Sequence, residues 1–270
     1  MTTTRAGAPP AVRSERRRDP VVPAQHGAWG FLLLPVVLGI EAGGWELRLV
    51  PVVLAWVALY PLSWAFTHVL AAPRPERYRR ALALWAAIAA PLLLVSVWLH
   101  PWLVWVGLAY LVPFAVNIRF ARARRERDPA NDLVLVLECT AAVPVVAGVA
   151  ATHGTWDPPW SAMLTAPTGL AALCCVLALI GSTLHVKSLI RERRNPRFTT
   201  AARGFALACV PVVGVASILA DAGAWLLVAF GLLALRAWVG HVPTWRPARI
   251  GLVELAGLLV VVGFAAPALR

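Results

Sequence analysis

The sequence predicts an all-α, multi-pass membrane protein with nine transmembrane helices, and three observations predict it. Sixty per cent of the 270 residues are hydrophobic and only 14% are charged, with a mean hydropathy of +0.72. Soluble domains carry about 25% charged and about 45–50% apolar residues. The apolar residues also fall in runs of the length that crosses a hydrocarbon core of about 30 Å as a helix. Finally, the net charge of +12, from 25 basic and 13 acidic residues, is concentrated between the runs. A water-soluble globule is excluded. On a soluble chain such a basic excess would point to nucleic acid; here it points to lipid and topology, and no nucleic-acid partner is expected.

Residues 1–24 are polar, Pro-containing and Arg-rich, and read as a disordered cytoplasmic tail, which leaves 25–270 as a single transmembrane helical domain. The first expected span, about Ala28–Gly44, is short and contains Pro35. Leu49–Ala72 follows, and the Arg-rich break 74–80 separates it from Ala81–Leu99. Pro101–Ile118 is the fourth span, and the charged stretch 119–132 ends before the fifth, Leu133–Thr152. The break 153–167 precedes Thr168–Val186, and 191–203 precedes Gly204–Ala220. Only Asp221-Ala222-Gly223 divides that seventh span from Ala222–Gly240, and the ninth is Ile250–Ala268. Periodicity is uninformative within the spans because nearly every face is apolar, as lipid-bathed helices allow.

Charge placement orients these spans. Cytoplasmic loops carry an excess of Lys and Arg. With the amino end inside, the tail and every second loop together hold 23 of the 25 cations, leaving only Arg48 and Arg270 elsewhere. The expected location is therefore a bacterial plasma membrane, with the amino terminus cytoplasmic and the carboxyl terminus external. The bilayer is the first partner.

Ionisable groups inside spans are costly and are functional candidates by default. Glu138 and Glu254 lie near the cytoplasmic ends of spans five and nine, and Glu41 near the outer end of span one. His26, His68, His185 and His241 sit at cytoplasmic span ends, with Asn117 and Lys187 close by, whereas His100 and His153 are on the outer side. This one-sided set could line a pocket open to the cytoplasm. The ligand-binding candidates are His26, His68, Asn117, Asp132, Glu138, His185, Lys187, Arg191 and Glu192. The Arg forks of the stretch 187–197 suit phosphate oxygens, and the same charge also enforces topology.

Other motifs have bland readings. Asp128-Pro129-Ala130-Asn131-Asp132 spaces two carboxylates by four residues, but Pro129 suits a first helical position. Asp128 is then the N-cap, and Asp132 a first-turn charge. The four cysteines lie inside apolar runs and behave as small hydrophobes. No P-loop, G-x-G-x-x-G, H-E-x-x-H or G-x-S-x-G occurs. No metal site and no cofactor is expected.

Gln25-His26-Gly27-Ala28-Trp29-Gly30 with Leu32-Leu33-Leu34-Pro35, the segment from Arg125-Glu126-Arg127 to Asn131-Asp132, and Lys187 to Arg193 resemble the YwiC-like family of bacterial membrane proteins. The resemblance runs from Pro23 onwards and brings no activity with it. A more distant resemblance is to the UbiA superfamily of membrane prenyltransferases. It implies two four-helix bundles plus a ninth helix, with an active site under the second-to-third and sixth-to-seventh loops. Those enzymes hold magnesium and a prenyl diphosphate with two Asp-rich motifs. This chain has no Asp between Ala55 and Pro73 or between Gly181 and Thr200. His68, His185, Lys187 and Glu192 stand in those neighbourhoods instead. A UbiA-like scaffold that binds an isoprenoid or other lipid, anionic lipid included, is the leading expectation. A small-anion or metabolite transporter and a non-catalytic assembly factor are the alternatives. A weak internal echo, Pro35-Val36-Val37-Leu38-Gly39 against Pro144-Val145-Val146-Ala147-Gly148, adds a hint of repetition.

Overall fold

The computed structural model describes residues 20–23, 27–240 and 245–269. These form helices α1 (Ala28–Gly43), α2 (Leu49–Ala71), α3 (Glu76–Leu99), α4 (Leu103–Arg122), α5 (Pro129–Thr140) and α6 (Ala142–Ala151). The rest of the chain adds α7 (Trp160–Met163), α8 (Ala166–Ile190), α9 (Pro196–Leu219), α10 (Trp225–Val239) and α11 (Pro247–Leu269). Among the described residues there is no strand. Residues 1–19, to which most of the expected tail belongs, lie outside the described residues.

Among the described residues, seven helical stretches are long and apolar enough to cross a membrane: α2, α3, α4, α5 with α6, α8, α9 and α11. Seven of the nine expected spans meet this criterion. The first and eighth expected spans form α1, of 16 residues, and α10, of 15. At 1.5 Å per residue they reach about 24 and 22 Å, short of the roughly 30 Å of hydrocarbon. For α1 the packing explains the brevity, because it lies against α6, α8 and α11 and buries Leu32, Leu34, Pro35, Val36, Leu38 and Gly39. A helix enclosed by other helices need not match the lipid thickness.

Proline and small polar residues set the local boundaries. Pro144 has no N–H to offer the Thr140 carbonyl four residues earlier, and the helix is interrupted between α5 and α6. Elsewhere Pro61, Pro91, Pro113 and Pro211 stay inside their helices, as membrane helices tolerate. Asp128 caps α5 as expected, its Oδ1 accepting from the Ala130 N–H at 3.0 Å, with Pro129 in the first turn. Thr165 caps α8 and Asn195 caps α9 in the same manner.

The Asp128 cap is sensitive to acid. Its carboxyl is held below the usual range by the Ala130 N–H and then by Arg125. A carboxylate depressed in the folded state contributes stability above its unfolded pKa and loses it as the pH falls through the folded value. Protection factors for hydrogen exchange at the start of α5, which divide out the intrinsic pH dependence of exchange, are expected to fall on acidification and in Asp128→Ala. Rates equal to wild type in Asp128→Ala would count against the cap.

Two apolar cores share α1. One joins Leu34 and Leu38 to residues of α5, α8, α9, α10 and α11, including Phe230 and Val261. The other joins Val36 to Leu49, Trp102, Val146, Val149 and Met163. All four cysteines are free and buried in apolar surroundings. At the far end of α4 from the loop 123–128, α4 begins beside Thr155 and Trp156. Exposed Trp45, Trp98, Trp105, Trp156 and Trp160 gather at that end, as aromatic side chains do at a membrane interface.

Candidate functional site

The polar side chains concentrate at the end of the bundle where α2, α4, α8 and α10 finish and α3, α5, α9 and α11 begin, called here the basic end. Three helices place His185 (α8), Arg236 (α10) and Glu254 (α11) together there. Glu254 is 6% exposed and His185 3%. Arg236 Nη1 donates to Glu254 Oε2 at 2.8 Å, and His185 Nε2 lies 3.8 Å from Oε1 of the same carboxylate. Ser182, nearly one turn before His185, faces that carboxylate too. The Arg236 head group reaches the site because residue 257 is glycine: a Cβ there would stand 2.7 Å from Nη1. Buried charges persist only when paired and hydrogen-bonded, and here the cation and the anion come from different helices.

Two further pairs join neighbouring helices. Asn117 Nδ2 donates to Glu138 Oε2 at 2.9 Å, and the Tyr110 hydroxyl donates to the Glu138 carbonyl at 2.8 Å, tying α4 to α5. Lys187 forms an ion pair with Asp132, tying α8 to α5. The Asp132 carboxylate is thereby used on a cation from another helix, and Asp128 is used on its cap.

His68 belongs to a separate group. Its Nδ1–H donates to the Trp64 carbonyl at 2.8 Å, which leaves Nε2 as the ring's other polar atom. The ring lies 4.6 Å from Tyr78 and 5.0 Å from Trp64, centroid to centroid. Beside it is a depression of about 290 Å³, lined by Thr67, His68, Tyr78, Ala121, Arg124 and Glu126 among others. A second depression, about 370 Å³, lies over residues 124–128. Arg191 and Glu192 follow α8 on an exposed turn, where Glu192 Oε2 accepts from Asn195 Nδ2 at 3.0 Å. His26 and His241 lie outside the described residues.

The sequence candidates are thus brought to one end of the bundle but divided among several groups. Arg236, Tyr78 and Arg124 were not singled out from the sequence. Arg236 carried a signal nevertheless, since it stands inside the apolar run 225–239. At the opposite end Arg48 Nη1 donates to Glu46 Oε1 at 2.7 Å and to His153 Nδ1 at 2.8 Å. His100, fully buried nearby, has its imidazole pushed below the ordinary value by burial, with the Thr152 carbonyl acting the other way. Among the described residues no group of three or more His, Cys, Asp or Glu is placed to hold a metal ion.

Residues 22–147 match the family model described as YwiC-like protein. A protein of Bacillus subtilis (strain 168), named "Uncharacterized protein YwiC", is 32% identical over 237 residues, covering 87% of this chain and 92% of the relative. The chain belongs to the YwiC-like family. A protein of Haemophilus influenzae (strain ATCC 51907 / DSM 11121 / KW20 / Rd), named "Uncharacterized protein", is 29% identical over 189 residues, covering 68% of this chain and 74% of the relative. No solved structure matches. The family match in this YwiC-like chain takes in α1 to α5 and part of α6, and with them His68, Asn117, Asp132 and Glu138.

Proposed function

We propose that this YwiC-like chain is a lipid-binding protein of the bacterial plasma membrane. It holds an isoprenoid or other lipid at its cytoplasmic face, without magnesium–diphosphate chemistry. In this reading all nine apolar helices are embedded, in a UbiA-like plan of two four-helix bundles and a ninth helix. The basic end is cytoplasmic, the amino terminus is inside and the carboxyl terminus external, as the placement of 23 of 25 cations supports. Residues 25–270 act as one membrane domain behind a tail of 1–24. The missing Asp-rich motifs remove the paired carboxylates that would hold magnesium, so binding is the activity assigned.

One observation carries the reading. α3 and α4 are joined by a short turn at 100–102, yet they scarcely touch along their lengths, while α2 packs against both. Trp64–Tyr78 fastens α2 to α3, and Phe66–Phe114 and Trp56–Tyr110 fasten α2 to α4. The surfaces that α3 and α4 leave uncovered are apolar, with Leu84, Ile88, Leu108, Leu111 and Val112 all exposed. At the basic end of these helices lies the depression beside His68. A hydrocarbon chain along the apolar surfaces with a polar head at the basic end fits that arrangement.

Mass spectrometry of lipids extracted from the full chain, purified in mild detergent, tests this. One lipid class enriched well above its share of the source membrane is expected. A profile equal to the bulk membrane overturns the reading. The buried His185–Arg236–Glu254 group favours a second reading, a proton-coupled transporter of a small anion or metabolite. Proton-driven uptake into proteoliposomes, lost in His185→Ala, would favour it over binding alone.

A further inference from the structure

We propose that the depression among the ends of α2, α3 and α4 is a head-group site for an amine-bearing phosphodiester lipid, with the phosphate against Arg124 and the primary ammonium between Tyr78 and Glu126. The proposal rests on the lipid-binding reading and names the class of lipid.

Position comes first. His68 is in the last turn of α2, Tyr78 in the first turn of α3, and Arg124 just past α4. The depression therefore lies where hydrocarbon gives way to head groups, where α3 begins and α4 ends. Its volume of about 290 Å³ is at the lower bound, roughly 300 Å³, of small-molecule sites. That is room for a head group while the acyl chains lie along the exposed apolar side chains of α3 and α4.

Charge then selects among head groups. The rim carries one guanidinium, Arg124, and one carboxylate, Glu126, and neither forms an ion pair with another described residue. α2 and α4 present their carbonyl ends here, which carry partial negative charge, and α3 its amide end, which carries partial positive charge. A purely anionic head group meets Glu126 and two carbonyl ends; a purely cationic one meets Arg124 and the α3 amide end. A phosphate joined to an ammonium satisfies both signs. The Arg fork donates to phosphate oxygens, and Tyr78, in the lining, supplies an aromatic partner for the cation. Glu126 can accept a hydrogen bond from a primary ammonium and none from a quaternary one, which separates ethanolamine from choline.

The backbone supports a role for the Arg124 side chain. Its φ is 55°, in the left-handed region, and it occupies the position after α4 that glycine ordinarily fills. Any non-glycine residue there is strained, so turn geometry does not account for an arginine.

The test uses the full chain, delipidated and returned to nanodiscs, with native mass spectrometry reading retention of phosphatidylethanolamine, phosphatidylglycerol and phosphatidylcholine. Wild type is expected to retain phosphatidylethanolamine best. Arg124→Gly is expected to lower that retention about tenfold, the equivalent of one lost charge-assisted contact, while its melting temperature stays level or rises. Glu126→Gln is expected to shift preference toward phosphatidylglycerol. Displacement of the retained lipid by soluble glycerophosphoethanolamine would support head-group recognition over recognition of the acyl chains. Equal retention of all three lipids, with Glu126→Gln unchanged from wild type, overturns the head-group assignment. In that event enrichment of some other lipid class leaves the lipid-binding reading standing, whereas a bulk-like profile removes both.

Discussion

Glu254→Ala is expected to destabilise the bundle by about 3–5 kcal/mol, the usual consequence of leaving one member of a buried ion pair without its partner. The Arg236 side chain is only 13% exposed, and its Nε has no hydrogen-bond partner even in the wild-type arrangement. Removing the carboxylate leaves a guanidinium between α10 and α11 in surroundings that solvate it poorly. Arg236→Ala strands the carboxylate instead, with His185 as its nearest ionisable neighbour at 3.8 Å. The double variant Arg236→Met/Glu254→Leu removes both charges and fills similar volume. It is expected to recover most of the loss, because replacing both partners with apolar groups is often neutral. Thermal unfolding of the four proteins in one detergent gives the coupling directly. Single variants as stable as wild type, with no coupling in the double, would mean that the pair contributes nothing to assembly.

That group also marks how far the sequence could be read. The long apolar stretches were legible because hydrocarbon thickness is written into run length, and the breaks between them because charge is excluded from that layer. The Asp128-Pro129 start of α5 was legible for a local reason: the cap bond spans two residues. Which face of each helix turns inward was not legible. In α2 and α8 nearly every position is apolar, so no stripe distinguishes the side that meets protein from the side that meets lipid. Glu254 and His185 could therefore be flagged as intramembrane groups, but their shared partner could not. By charge placement Arg236 falls with the loop cations that set topology, although it is largely buried in α10 and bonded to Glu254. Gly257, three residues after Glu254, was the complementary clue, since it clears the path for the guanidinium. The short reach of α1 is legible in its apolar run, about Ala28–Gly44, but the reason for it is not. Its length is set by its neighbours α6, α8 and α11, and composition records the lipid better than the neighbours.

The echo between residues 35–39 and 144–148 has a physical meaning in the fold, and it leads to the other large expected effect. The two stretches belong to α1 and α6, which pack against each other, with Gly39 and Gly43 forming a G-x-x-x-G face on α1. A Cβ at residue 39 would lie 2.7 Å from Val146 Cβ and 2.8 Å from the Val143 carbonyl oxygen. At residue 43 it would lie 2.4 Å from Ala147 Cα. Between lipid-bathed helices the attraction is close packing rather than hydrophobic burial, and small residues are what allow it. Gly43→Ala is expected to destabilise at the upper end of the roughly 1–3 kcal/mol range for overpacking. The obstructing atom is backbone, so no rotamer change can relieve it and α1 must move away from α6. Because α1 contributes to both apolar cores, through Leu38 on one side and Val36 on the other, the displacement disturbs both. Gly39→Val is expected to do worse than Gly43→Ala, since it adds two further methyl groups against Val146. Gly107→Ala in α4 is the control: nothing stands within 4 Å of its new Cβ, and alanine favours a helix over glycine by about 0.8–1.0 kcal/mol. Its melting temperature should match or exceed wild type. Ala147→Gly introduced into Gly43→Ala should restore only part of the loss, because the closest atom, Ala147 Cα, remains in place. Equal melting temperatures for Gly43→Ala and Gly107→Ala would show that α1 and α6 do not depend on this close approach.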